Sequence, residues 1–290
     1  MRWALFLALA CCGRMDFDVL PASPTDSQVT GDAPLGDCRW DAPRPITELN
    51  TNREESEPAL HPDGTTLVFA SDRNGGTDRL YTSTRSQSGW SAPTVISALN
   101  SGSGDGGPSW NAAGTRLYFS SFRSGPLRLY EVSFANGAFG EPVRVAGLES
   151  LVESLAPTVR GDELEMFFSS RLSPSRIEYA TRPTRTSAWT PMGNVPELVD
   201  SLEHGYPGIT SDGLTLYFEI QRPGGFFIGR TTRESLTQPF GPISPVTELD
   251  ATGSHGDPAP SFDGGLMLFA SDRMNPGDFD IYISTRLCGS

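Results

Sequence analysis

Short apolar runs recur along the chain at an almost constant interval. They read Leu67-Val68-Phe69-Ala70, Leu117-Tyr118-Phe119-Ser120, Met166-Phe167-Phe168-Ser169, Leu216-Tyr217-Phe218-Glu219 and Leu266-Met267-Leu268-Phe269-Ala270. A proline precedes each, at 58, 108, 157, 207 and 258, so the intervals are 50, 49, 50 and 51 residues. A fixed period with the same punctuation marks a repeat architecture. Runs that stay apolar without alternating with polar residues are strands buried on both faces. In the first unit the pattern predicts a short strand at Pro58-Ala59-Leu60, a second from Leu67 to Ser71, a third from Leu80 to Arg85 and a fourth from Thr94 to Leu99. Asp63-Gly64, Asp212-Gly213 and Asp263-Gly264 predict tight turns between the first two strands, because glycine tolerates positive φ. Four-stranded antiparallel sheets stacked radially, each buried on both faces, make an all-β propeller. Five units give five blades.

The two ends of the chain complement each other. A segment running from an aromatic residue through a proline to a leucine follows four of the cores, as in Trp90-Ser91-Ala92-Pro93 to Leu99-Asn100. The same segment stands at Trp40-Asp41-Ala42-Pro43 to Leu49-Asn50 with no core before it. The last core, ending at Arg286, has none after it. The N-terminal strand is therefore expected to complete the last blade and close the ring. Antiparallel pairing of that strand with Ile281 to Arg286 brings Cys38 beside Cys288, and a disulfide is expected between them.

Residues 1–12, MRWALFLALACC, read as an export signal: Arg2 is the positive end and Trp3 to Ala10 an apolar core too short to span a bilayer. Its end resembles a bacterial lipobox, which implies lipidation at Cys11 or Cys12. Residues 13–37 are polar and unrepeated and read as a flexible tether, leaving 38–290 for the propeller. Export places the body of the chain where disulfides form. The resulting picture is a monomeric outer-membrane lipoprotein facing the periplasm or the cell surface. Glycine (31) and proline (24) are abundant, as short strands and turns require. The net charge of -13 disfavours nucleic acid as a partner.

The cores resemble the PD40 family, the WD40-like propeller repeat of TolB-type proteins and many bacterial envelope proteins. The resemblance lies in Glu57-Pro58-Ala59, His61-Pro62-Asp63-Gly64, Phe69-Ala70-Ser71-Asp72-Arg73 and Leu80-Tyr81, and again in Asp257-Pro258-Ala259, Phe262-Asp263-Gly264, Phe269-Ala270-Ser271-Asp272-Arg273 and Asp280-Ile281-Tyr282. The middle copies depart from it: Ser121-Phe122-Arg123 lacks the aspartate. The family spans binding scaffolds and the non-catalytic propellers of peptidases, so the resemblance implies the fold more sharply than a function. Because the Asp-Arg pairs recur, they are read as ties within blades, not as catalytic groups. His61 is read as a surface turn residue.

Site candidates come from positions where the units differ. The loops entering each first strand are expected around the mouth of the central channel. They supply Glu55, Glu57, Asp105, Glu153, Glu203, His204, Tyr206, His255 and Asp257 as candidate ligand-binding residues. No zinc-type cysteine spacing, P-loop, Gly-x-Ser-x-Gly or His-Glu-x-x-His is present, and no catalytic, metal or cofactor residue is assigned. The expected role is a non-catalytic binding or scaffold module for an envelope protein or glycan. The alternative is a carbohydrate-active enzyme using carboxylates at the channel mouth, by analogy with five-bladed glycosidase propellers.

Overall fold

The computed structural model describes residues 38–151, 153–200 and 202–288, so the expected export signal and tether, with Cys11 and Cys12, lie outside the described residues. The chain is a five-bladed β-propeller. Each blade runs outward from a six-residue inner strand: Glu55–Leu60, Asp105–Trp110, Ser154–Val159, His204–Ile209 and His255–Pro260 for blades 1 to 5. The second strands are Thr66–Ser71, Arg116–Ser121, Glu165–Ser170, Thr215–Arg222 and Leu266–Ser271. The third are Arg79–Ser86, Arg128–Ala135, Arg176–Thr181, Gly225–Thr232 and Asp280–Cys288. Within each blade these three strands pair antiparallel in chain order.

The fourth strand is less regular than its apolar positions suggest. In blade 1 only Gly89–Trp90 and Thr94–Val95 pair with the third strand. The chain then turns so that Ile96 and Leu99 drop into the core instead of extending the sheet. Here the demand to bury two apolar side chains wins over ladder hydrogen bonds that solvent can replace at an outer edge.

The second strands are buried on both faces, as their continuous apolar runs require. Phe69, Phe119, Phe168, Phe218 and Phe269 are all fully buried. The core is divided into inter-blade layers. Val68 and Leu80 of blade 1 pack on Trp110, Leu117 and Phe119 of blade 2. Tyr118 and Leu129 of blade 2 pack on Met166 and Phe168 of blade 3, and the pattern continues round the ring. His61 belongs to the first layer. It is a turn residue, but its ring packs edge-on against Trp110 and its Nε2 meets the Gly114 carbonyl oxygen at 3.0 Å, so it joins blade 1 to blade 2 rather than facing solvent.

Arginines tie the blades. The guanidinium of Arg73 stacks over Phe69 and Tyr81 and donates to Leu49 O at 2.8 Å. Arg273 does the same with Phe269, Tyr282 and Leu249 O, and Arg123 with Phe119, Tyr130 and Leu99 O. The ionic partner is not the adjacent aspartate of the triplet. It is the first residue of the inner strand, Glu55 for Arg73 and Asp105 for Arg123.

Ring closure is made by Cys38–Trp40 and Arg44–Pro45, which pair with the third strand of blade 5. Cys38 stands opposite Cys288 and is disulfide-bonded to it, with Cα atoms 4.0 Å apart. The same segment buries Trp40 between blades 4 and 5, and Ile46 and Leu49 between blades 5 and 1. Asn50 then brackets Ile281, accepting from its N–H at 2.9 Å and donating to its carbonyl at 3.1 Å.

The bridge spans 250 residues of sequence. On chain-entropy grounds it contributes at most about 5 kcal/mol. The variant Cys38→Ser/Cys288→Ser is expected to stay a propeller but to unfold at lower denaturant concentration. Peptide mapping without reductant is expected to recover the two cysteines joined; free thiols at both positions would contradict the closure.

Candidate functional site

The nine candidates from the sequence separate into three groups. Glu55, Asp105, His204 and His255 occupy the first position of their inner strands and are buried inside the blades. Each side chain reaches back to the loop residue four positions earlier. Glu55 accepts from Thr51 N (2.6 Å) and Ser71 Oγ (2.8 Å). Asp105 accepts from Ser101 N (2.7 Å) and Ser121 Oγ (2.5 Å). His255 contacts Ala251 N (2.9 Å) and Ser271 Oγ (2.7 Å), and His204 meets Asp200 (2.9 Å). Burial holds both imidazoles below their usual pKa, which favours the neutral ring in these structural roles. Glu153 and Glu203 lie in the loops just before the inner strands, where their backbone carbonyls accept from Arg171 N and Gln221 N.

Glu57, Tyr206 and Asp257 do face the channel, and they do so through one backbone device. Every inner strand breaks register between its second and fifth residues, with two residues opposing one. This is a β-bulge, and its first residue is Glu57, Gly107, Ala156, Tyr206 or Asp257, each followed by proline. All five have positive φ, between 48° and 58°. Only one of them is glycine, so four side chains accept a conformation that costs roughly 1–3 kcal/mol each. The bulge turns these residues toward the axis and takes their N–H groups out of the ladder.

Four of those N–H groups are satisfied by the preceding blade. Glu57 N donates to Asp257 Oδ2 (3.0 Å), Gly107 N to Glu57 Oε2 (2.6 Å), Ala156 N to Ser120 Oγ (2.9 Å) and Tyr206 N to Ser169 Oγ (2.7 Å). Blades 2 and 3 supply the acceptor from the second strand. Blades 1 and 5 have alanine there, Ala70 and Ala270, and supply it from the bulge residue itself. Blade 4 has Glu219 at that position, and its carboxylate lies against Gly256 beside Asp257. Glycine at 106 and 256 leaves room for these carboxylates, since a Cβ there would stand 2.3 Å from Glu57 Oε2 or 2.2 Å from Glu219 Oε2 and displace them.

Glu219, Asp257 and Glu57 thus form a line of carboxylates across blades 4, 5 and 1. None forms an ion pair among the described residues. Burial first pushes all three upward from the ordinary carboxylate range; the charge of Asp257 adds to it at Glu57 and Glu219, and Glu54 and Asp78 add to it at Asp257, bringing Glu57 to about 8 and Asp257 to about 7. The backbone N–H bonds to Glu57 and Asp257 act in the opposite direction and are outweighed. Tyr206, which lines the same channel, is raised too, by burial and then by Glu57, Asp257 and Glu219. Its ring packs on Leu127, Leu155 and Ala156. Glu54 is raised by burial and then by Asp78 and Asp72, and Asp78 by burial and then by Asp72.

The channel behind this cluster is a cavity of about 80 Å³. It leads from Glu57, Tyr206 and Asp257 past Ala59 to apolar walls including Leu60, Val159 and Ile209. Among the described residues no group of three or more His, Cys, Asp or Glu side chains is placed to hold a metal ion. Glu219 was not singled out in the sequence. The available signal was a lone ionisable residue ending an apolar run whose counterparts end in alanine or serine.

No protein-family model matches the sequence, and no curated protein matches it. Solved structures do resemble the fold. TolB from Acinetobacter baumannii is similar at 13% identity and a TM-score of 0.50, over 87% of this chain and 64% of that one. The α-L-arabinofuranosidase PaAbf62A from Podospora anserina, solved in complex with cellotriose, is similar at 11% identity and a TM-score of 0.56, over 87% and 97%. A thermostable family-43 glycoside hydrolase is similar at 12% and 0.52, over 83% and 92%. The neighbours therefore include both TolB-type and glycoside hydrolase propellers, and at these identities the likeness shows the fold alone.

The chemistry of the channel rests on its own residues, and Glu57 offers a direct check. Its folded-state pKa lies above its ordinary value of 4.5, so folding is favoured by the proton it holds. That contribution is complete below about pH 4.5 and is lost as pH rises toward about 8. Glu57→Gln keeps an acceptor for Gly107 N and never ionises. The variant is expected to match the native chain at pH 5 and to exceed it in stability at pH 8, by on the order of 1–2 kcal/mol, in paired denaturant titrations. Equal loss of stability at both pH values would show that Glu57 is ionised in the folded chain throughout.

Proposed function

We propose that the chain is an exported, membrane-tethered binding module whose channel mouth, on the side where the inner strands begin, engages an envelope protein or glycan. The observation that carries this reading is the double use of the mouth carboxylates. Glu57 and Asp257 accept the bulge N–H groups of neighbouring blades and are part of what joins the ring. Glycoside hydrolysis needs two carboxyl groups whose pKa values are pushed apart, one kept neutral as acid and one ionised as base or nucleophile. Burial and repulsion push Glu57, Asp257 and Glu219 in the same direction. The cavity of about 80 Å³ is also small against the roughly 300 Å³ and more of sites that enclose small-molecule ligands. Both features support a face that holds a partner over one that turns over a sugar.

Incubating the full chain with aryl α-L-arabinofuranosides and β-xylosides is expected to release no aryl alcohol, while glycan and peptide arrays are expected to give binding that Asp257→Asn alters. Turnover abolished by Glu57→Gln or Asp257→Asn would replace this reading with the hydrolase one.

The export half of the reading rests on Cys11 and Cys12. The wild-type chain is expected in the detergent phase on Triton X-114 partition, and changing both cysteines to serine is expected to move it to the aqueous phase. Wild-type protein that is already aqueous and carries no acyl group would end the lipid-anchor proposal.

A further inference from the structure

We infer that the seam between blades 2 and 3 is a site for an oxyanion, the phosphate, sulfate or carboxylate group of a small molecule, seated between Arg116 and Arg182. A cavity of about 270 Å³ opens in that seam, lined by Arg116 and Glu131 of blade 2 and by Arg182, Arg185, Ser187 and Trp189 of blade 3. It shares no lining residue with the central channel, so the inference does not rest on the reading of the channel mouth.

The next seam, between blades 3 and 4, shows what such a place requires. Arg182 and Arg233 are equivalent residues. Each follows a third strand and donates its backbone N–H to a leucine carbonyl in the turn of its own blade, Leu164 or Leu214. Each donates Nε–H to the carbonyl of the residue before that leucine, Glu163 at 2.6 Å or Gly213 at 2.7 Å. Each stacks on an aromatic ring, Trp189 at 4.2 Å or Phe240 at 4.6 Å. Arg233 then reaches back to blade 3 and pairs with Glu165, the first residue of the second strand there. Glu165 also accepts from Arg160 Nη1 at 2.9 Å, so one carboxylate joins two guanidinium groups across that seam.

Between blades 2 and 3 three residues differ, and each difference adds a hydrogen-bond donor. Arg116 is the first residue of its second strand and stands where Glu165 does. Tyr118 stands where Phe167 does, and Trp189 where Phe240 does. Arg182 therefore has no carboxylate to meet in blade 2 at that position. Its Nη2 approaches Glu163 of its own blade at 3.3 Å, and Arg116 Nη1 pairs with Glu131 at 3.0 Å. Arg185 donates Nε–H to the Asp162 carbonyl at 3.0 Å and forms no ion pair among the described residues. Three guanidinium groups are thus matched by two carboxylates.

A second observation points to a ligand. Tyr118 and Trp189 belong to one inter-blade layer and are 0% and 3% exposed. The phenol O–H and the indole Nε1–H are both buried, and neither donates to a protein acceptor. Buried donors of this kind normally have partners. Two of them, beside guanidinium charge that the chain does not fully match, call for an acceptor from outside it.

The planar forks of arginine fit the paired oxygens of a carboxylate, sulfate or phosphate. An oxyanion between Arg116 and Arg182 would do there what Glu165 does between Arg160 and Arg233. The cavity is close to the roughly 300 Å³ at which small-molecule sites begin, which leaves room for the body that carries the anion.

The full chain is titrated by calorimetry at low ionic strength with sodium phosphate, sodium sulfate and sodium glucuronate, with glucose and sodium chloride as controls. The indole N–H signal of Trp189, identified as the one lost in Trp189→Phe, is followed by proton NMR. The expected result is binding by at least one of the three oxyanions, with displacement of the Trp189 signal, and no binding by either control. The anion that binds tells a tetrahedral group from a carboxylate. Arg116→Glu gives this seam the carboxylate that the next one has, and is expected to weaken binding at least tenfold in a chain that stays folded. Arg185→Gln, at an exposed side chain, is expected to weaken it without touching the core. Absence of binding by all three oxyanions, equal response to glucose or chloride, a Trp189 signal that does not move, or binding unchanged in both arginine variants would overturn the inference.

Discussion

Five backbone N–H groups facing a narrow channel must find acceptors, and the centre of the propeller is arranged around that demand. A bulge at each X-Pro step removes the amide of the residue before proline from its own sheet. Left unpaired in the channel wall, such a group would cost as much as a lost hydrogen bond. At four of the five bulges the acceptor comes from the preceding blade, so the repair of a local defect becomes the bond between blades. Serine suffices in blades 2 and 3. Where alanine stands in blades 1 and 5, a carboxylate on the bulge does the same work and places negative charge at the axis. The chemistry of the mouth is thus a by-product of how the ring is joined, concentrated on one side because the acidic solutions fall in adjacent blades.

Closure obeys the same economy of inter-blade contact. Each apolar layer is shared by two blades, so an incomplete blade would expose two layers. The N-terminal segment prevents this by supplying Trp40 to one layer and Ile46 and Leu49 to the next. The disulfide then pins blade 5, which is assembled from both ends of the described chain. Two further kinds of tie recur in blades 1, 2 and 5: arginines stacked on aromatic pairs, and inner-strand first residues that fasten the preceding loop.

Much of this was legible in the residues because it recurs. The period set by Pro58, Pro108, Pro157, Pro207 and Pro258 gives five blades, and the unmatched Trp40-to-Asn50 segment gives the closure and the partner of Cys288. What was not legible depends on side-chain direction. His204 and His255 read as mouth residues by position, yet as first residues of their strands they point into the blade, where they take the place of Glu55 and Asp105. Two residues further on, the bulge reverses that direction and brings Tyr206 and Asp257 to the channel. A positive φ before proline runs against local preference, so no propensity argument reaches it. Glu219 was hidden by lying in a strand whose pattern is otherwise apolar, and only the blade-by-blade comparison of acceptors gives it a role.

Burial and neighbouring negative charge raise the carboxylates of the mouth toward neutral pH, and the chemistry of the channel rests on that shift. Carboxyl-carbon NMR of the chain labelled at aspartate and glutamate, assigned with Glu57→Gln, Glu219→Gln and Asp257→Asn, measures this directly. The expected result is titration of Glu57 near pH 8 and Asp257 near pH 7, with Glu219 also displaced upward. Titration of all three between about pH 4 and 4.5, the range of exposed carboxylates, would contradict it.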